Sequence, residues 1–266
     1  MEMLESSGVL RDGKSLILAY DHGLEHGPSD FDPAPRSRDP SHVFELANHD
    51  AVTALAVQKG LAEKYGDTTD ANLLVKLNGT SDLWSPDDYY SPQNCSVEYA
   101  VEELGADAVG YTMYAGSDHE ARMFEDFRQV QEEAHRRGVP VVMWAYPRGN
   151  GIQENPEYSG DTDPEVISYA ARIALELGAD MAKVKYPGGR SEMKAVVQNA
   201  AETDVVMSGG SKSSEHEFLE SVESVIEAGG SGLAVGRNVF QREQPCDILD
   251  HLGEVIHREK SASEVL

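Results

Sequence analysis

The sequence predicts an α/β chain folded as one (β/α)8 barrel, a single domain over residues 1–266. Short apolar runs alternate with helical patterns from end to end, giving eight strand-then-helix units. No composition break or long linker divides them. Seven of the eight runs end in polar residues, as strands do where a barrel collects its site at their C-terminal edge. A doubly wound open sheet is the alternative. It usually carries a Gly-x-Gly-x-x-Gly turn after its first strand, and this chain does not.

In chain order, SLILAYDHG (15–23) is the first strand and ends in Asp21-His22-Gly23. TALAVQKG (53–60) is the second, and LLVKLNG (73–79) the third, with Lys76 near its end. DAVGYTMYAG (107–116) brings Tyr111 and Tyr114, and VPVVMWAYPRG (139–149) ends in Tyr146-Pro147-Arg148-Gly149. A helix follows with Asp163 as its N-cap, Pro164 at its first position and Gly178 at its end. MAKVKYPG (181–188) is the sixth strand, and DVVMSGG (204–210) the seventh, ending in Ser208-Gly209-Gly210. Ser214 and Glu217 then read as a capping box before Phe218, Val222, Val225 and Ile226, which share one helical face. SGLAVGRNVF (231–240) closes the set with Gly236-Arg237-Asn238. The string ELGAD occurs at 103–107 and 176–180, each time ending a helix and launching a strand.

Composition narrows the function classes. No apolar run approaches the ~20 residues of a membrane span, and MEMLESSGVLRDGKS has no signal-peptide core, so a soluble, cytoplasmic protein is expected. Cys95 and Cys246, far apart, exclude a disulfide framework or a cysteine-rich metal site. With 47 acidic and 22 basic residues the net charge is −25, and no basic stripe suits nucleic acid. Such acidity fits a halophile's cytoplasm, where a Debye length of about 3 Å at molar salt makes self-repulsion tolerable. An acidity-seeking partner is the other reading.

The chemistry concentrates at the strand ends. Lys183 and Lys185 are two apart and share a face, so both point inward if Val184 packs outward. Burial and a neighbouring cation then favour a neutral amine, the form a Schiff-base nucleophile requires. Salt bridges to barrel carboxylates are the structural alternative for the pair. Tyr146 ends the preceding strand, where a phenol either relays protons or caps the barrel rim; Trp144, on the same face, reads as packing. Ser208-Gly209-Gly210 and Gly236-Arg237 follow the seventh and eighth strands, where barrels often bind phosphate. In DHGLEHGPSD (21–30), Asp21, His22 and His26 are metal-ligating residue types, but Gly23, Gly27 and Pro28 make it a loop without helical histidine spacing. It reads better as a substrate loop, with Asp21 contacting a hydroxyl or acting on a proton and His26 meeting a second phosphate.

LAYDHGLEHGPSDF, VKLNG, NCSVEYAVEELGADAVGYTMYAGS, WAYPRG, ARIALELGADMAKVKY, MSGGSKS and GLAVGRNVFQ together resemble the archaeal-type class I fructose-1,6-bisphosphate aldolases, the DhnA-like family. The likeness runs in order through nearly the whole chain. It implies that Lys183 is the Schiff-base lysine, Lys185 a binding residue and Tyr146 the proton donor, with Arg148 nearby. It further implies a substrate loop of Asp21, His22, His26 and Asp30, a phosphate cradle of Ser208, Gly209, Gly210, Gly236 and Arg237, and contacts from Pro147 and Val184. Asp21 joins Lys183 and Tyr146 as a catalytic candidate. A phosphorylated sugar is the expected partner and a homo-oligomer the expected assembly, with no metal or other cofactor. The chain departs from the pattern in Tyr-Pro-Gly after the lysines and in a longer segment 150–163, both placed to adjust the 6-phosphate end or oligomer contacts. A 2-amino-3,7-dideoxyheptulosonate synthase of the same superfamily and a silent phosphosugar-binding barrel are the competing functions. The histidine loop and the second lysine favour the aldolase over the first, and Lys183 with Tyr146 over the second.

Overall fold

Eight parallel strands close on themselves in chain order. They are β1 Ser15–Ala19, β2 Ala54–Gln58, β3 Asn72–Lys76, β4 Ala108–Ala115, β5 Val141–Pro147, β6 Met181–Val184, β7 Asp204–Ser208 and β8 Gly232–Val235. Closure sets Ser15 of β1 opposite Gly232 of β8. The computed structural model describes residues 2–83 and 87–266. One helix follows each strand: α1 Pro40–Leu46, α2 Lys59–Tyr65, α3 Val97–Glu102, α4 Glu120–Arg136, α5 Pro164–Glu176, α6 Arg190–Ala200, α7 Glu215–Glu227 and α8 Pro245–His257. The expected barrel is the observed one. Each apolar run yields a strand shorter than itself, because the polar residues at its end leave the ladder and become the loops of the barrel mouth.

The strands read as continuous apolar runs because both faces are covered. Leu16, Leu18, Leu55, Val57, Val75, Val109, Val184 and Val235 face the helices, in a core shared with Phe127, Ile167, Val222 and Leu252. Ile17, Ala19, Ala54, Ala56, Leu74, Ala108, Val142, Trp144, Met181, Val206 and Ala234 fill the interior. Leu4, Val9 and Leu10 join that interior set and plug the end of the barrel where the strands begin. No helix among the described residues is long and apolar enough to cross a membrane.

Local signals placed the helices well. Asp163 accepts from the Glu165 N–H at the start of α5, and Gly178, at φ 82°, ends the helix with its N–H on the Leu175 carbonyl. The ELGAD repeat has a physical basis. Asp107 and Asp180 each accept from an N–H at the start of the preceding strand, Leu73 and Val141, both at 2.8 Å. At Ser214 only half of the expected capping box forms. Its hydroxyl takes the Glu217 N–H, but the Glu217 carboxylate receives the hydroxyl proton rather than the Ser214 N–H. A complete box stands at Ser261 and Glu264.

Candidate active site

The floor of the barrel mouth is Trp144, buried to 1 %. Gly110 makes room for it: a Cβ there would lie 2.5 Å from the indole. Two lysines stand above this ring, Lys183 Nζ at 4.8 Å and Lys76 Nζ at 5.4 Å from its centre. Trp144 thus packs, as its position suggested, and also contributes a π face to two cations. A cavity of about 570 Å³ opens over it.

The two lysines differ in partners. Lys76 is fully buried, donates to Glu25 and lies 3.0 Å from an Asp21 oxygen. Burial alone would depress its pKa, but the two carboxylates hold it above the usual lysine range. Lys183 forms no ion pair among the described residues. Burial lowers it to about 8; Asp21 opposes that shift and Lys76 adds to it. The cation beside Lys183 that matters is therefore Lys76 of β3, not Lys185. Burial tends to raise Asp21 as well, yet Lys76 and then Lys183 keep it well below the carboxylate norm.

Tyr146 lines the same cavity, half-buried, in register with Tyr114 of β4. Burial first and the Asp21 charge second push its phenol above the ordinary tyrosine value, so it rests protonated. Tyr114 points inward too, and burial lifts it to about 12. Tyr111 turns the other way and packs on Phe127 at 5.6 Å, because residues three apart on a strand lie on opposite faces.

The DHGLEH segment is not the open loop expected. His22–Glu25 forms one helical turn, with the His26 N–H on the His22 carbonyl at 2.8 Å, and Pro28–Phe31 adds a 3-10 turn. Gly23 is a helix interior residue here, and Gly27, at φ 77°, makes the bend that follows. The donor atoms nevertheless diverge. Asp21 serves Lys76, and His26 bonds Asp30 at 2.7 Å. His22 stacks on Phe240 at 4.9 Å, and burial lowers it to about 4, so it is a neutral imidazole. Both its ring nitrogens lack a partner among the described residues, and the residue lines the cavity.

Two anion-seeking ends flank the lysines. Ser208, Gly209, Gly210, Ser211 and Ser213 line one wall beside Gly236 and Arg237. The Gly209 N–H is already committed to the Ala234 carbonyl at 3.0 Å, and a Cβ on Gly209 would strike Val235. Gly209 is thus glycine for packing, while Gly210, at φ 62°, opens into free space. At Gly236 a Cβ would come within 2.5 Å of the Ala19 carbonyl. Asn238 ties the wall together, donating to the Gly209 and Ser211 carbonyls at 2.7 and 2.9 Å and accepting from Ser213 N–H. At the opposite end Lys185 and Arg148 line the cavity, and Asp161 binds both.

Most of the expected site residues thus meet in one cavity: Lys183, Tyr146, Asp21, His22, His26, Arg148, Lys185, Ser208, Gly209, Gly210, Gly236 and Arg237. Asp30 stands behind His26, 3.7 Å from Arg237. Val184 and Pro147 do not line it. Strand alternation buries Val184 against the helices and turns Pro147 away from its inward neighbour Tyr146. Glu25, Asp161 and Asn238 were not among the expected site residues. Asn238 stood at a polar strand end, while Glu25 and Asp161 lay in segments singled out without either residue being named.

A model of the DeoC/LacD family aldolases matches residues 15–242. The chain is 55 % identical over 270 residues to "Fructose-bisphosphate aldolase class 1" of Halobacterium salinarum, covering 100 % of this chain and 99 % of the relative. It is 46 % identical to the protein of the same name from Thermoproteus tenax, covering 96 % and 94 %. A more distant relative, 35 % identical over 98 % of this chain and 92 % of its own length, is "2-amino-3,7-dideoxy-D-threo-hept-6-ulosonate synthase 1" of Archaeoglobus fulgidus. The fold superposes with a TM-score of 0.89 on a solved archaeal fructose-1,6-bisphosphate aldolase described as having "the catalytic Lys covalently bound to the carbinolamine intermediate of the substrate". That structure is 44 % identical, with 96 % of this chain and 98 % of the other aligned. Barrel, cavity and lysine strand sit within a likeness that spans the chain: it belongs to the DeoC/LacD family of aldolases.

Proposed function

We propose that the chain is a class I fructose-1,6-bisphosphate aldolase working through an imine on Lys183. One observation carries the assignment of the nucleophile. Of Lys76, Lys183 and Lys185, only Lys183 is buried without a carboxylate partner and brought near neutrality. A free amine in that place attacks a ketone; a salt-bridged one does not.

The free amine of Lys183 adds to C2 of the open-chain sugar, and the carbonyl pair moves to oxygen and takes a proton. Tyr146, held protonated, gives its proton as the C2 hydroxyl leaves as water, producing the iminium. The resulting phenolate takes the C4 hydroxyl proton, and that O–H pair becomes the aldehyde carbonyl. The C3–C4 pair passes into the iminium, yielding an enamine and glyceraldehyde 3-phosphate. Tyr146 then returns the proton to C3; water adds to the iminium so formed, one proton goes back to the Tyr146 phenolate, and the C–N bond breaks to release dihydroxyacetone phosphate and the free amine of Lys183. The iminium is the electron sink that a Lewis-acid metal provides in other aldolases. Asp21, fixed by Lys76, and the unsatisfied His22 orient the sugar hydroxyls. Ser208 to Ser213 with Arg237 hold one phosphate, and Lys185 with Arg148 hold the other. A soluble, cytoplasmic homo-oligomer is part of the same proposal.

Borohydride reduction with fructose 1,6-bisphosphate should fix a sugar adduct on Lys183, and Lys183→Met should show neither adduct nor cleavage. An adduct mapped to Lys185 would overturn the assignment. Trapping without turnover of this bisphosphate would favour the heptulosonate synthase chemistry instead.

A further inference from the structure

We propose that Asp161 is a resident counter-anion: its carboxylate neutralises Lys185 and Arg148 in the empty cavity and is exchanged for the second phosphate of the substrate. This rests on the aldolase reading and names what controls its distal end. Lys185 donates to Asp161 Oδ2, and the Arg148 Nε lies 3.6 Å from the same oxygen. Among the described residues no other carboxylate comes within ion-pair reach of either cation. Arg148 is otherwise enclosed by aromatic faces, with its guanidinium 5.7, 5.8 and 5.6 Å from the ring centres of Tyr89, Tyr114 and Tyr146. Two half-buried cations so placed repel each other, and Asp161 relieves that repulsion.

Among the described residues nothing else holds the Asp161 side chain. Its carboxylate accepts no other hydrogen bond among the described residues. Asp163, two residues on, is pinned by the N–H and hydroxyl of Ser159 and by the Glu165 N–H. Between Ser159 and Asp161 stands Gly160, at φ 117° with open space where a Cβ would be; its carbonyl takes the Asp163 N–H at 3.1 Å, so the turn is held while the Asp161 side chain reaches only the two cations. A phosphate brings between one and two charges and several acceptor oxygens to the same cations, and so displaces a single carboxylate held only by them. The opposite end of the cavity repeats the arrangement more loosely, with Arg237 3.7 Å from Asp30. Asp161 lies in the segment 150–163 and thereby sets how strongly this chain binds a second phosphate.

Asp161→Asn keeps the shape and removes the charge. The KM for fructose 1,6-bisphosphate should fall about fivefold, as expected for deleting one competing ion pair. The KM for fructose 1-phosphate, which has nothing to exchange, should not move. A bisphosphate KM that stays or rises overturns the proposal, as does an equal fall for both sugars. A second measurement needs neither a variant nor turnover. In the wild-type chain, inorganic phosphate should speed amide hydrogen exchange over residues 159–162 as Asp161 lets go. Unchanged or slower exchange refutes it. If neither sugar is cleaved, the reaction proposed above fails on its own, and the phosphate-dependent exchange still decides the role of Asp161.

Discussion

Lys183 and Lys76 share one indole floor and differ in proton affinity because one lacks the carboxylates that the other has. The consequence for rate follows from the sign. In the proposed reaction only the free base of Lys183 attacks, and its pKa is lowered to about 8. Below that value the ammonium dominates, and above it the amine does. The rate of borohydride-trapped imine formation should therefore climb with pH through about 8 and level off beyond. A rate that is flat across that range, or midway near the ordinary lysine value, would show that burial does not tune this amine.

The eight strands and the inward pair Lys183–Lys185 were legible because side-chain alternation and apolar runs are local properties. Alternation also explains what went astray. Tyr111 was grouped with Tyr114, and Val184 and Pro147 with their reactive neighbours, although one residue along a strand changes the face. The ion-pair partners could not be read at all. Glu25 meets Lys76 across 51 residues of chain and Asp161 meets Lys185 across 24, and no local pattern encodes either. The wall formed by residues 208–213 depends on a similar remote tie. Asn238 is fully buried and takes three of that loop's backbone groups. Asn238→Ala should cost about 1–3 kcal/mol in denaturant unfolding, the usual penalty for stranding such groups. It should also raise the KM for the bisphosphate more than it lowers kcat, because in the proposed reaction the loop binds phosphate and does not touch the reacting carbons. An equal loss in both would place the loop nearer the chemistry.

Across the whole molecule the dominant quantity is the net charge of −25. Unscreened self-repulsion should destabilise the compact state in dilute buffer. Screening saturates early as salt is added, whereas exclusion of salt from the surface keeps strengthening burial. The melting temperature in KCl should accordingly rise steeply at first and then more gently into the molar range. Full stability at low salt would remove the halophile reading and leave the acidity in need of a partner. Leu4, Val9 and Leu10 close the far end of the barrel, and that closure has a kinetic corollary. The site is a cul-de-sac: in the proposed reaction substrate enters and both products leave through one doorway, while the keto fragment stays tethered to Lys183. Departure is therefore ordered, aldehyde first. Initial-rate studies of the cleavage direction should find dihydroxyacetone phosphate competitive against the bisphosphate and glyceraldehyde 3-phosphate noncompetitive.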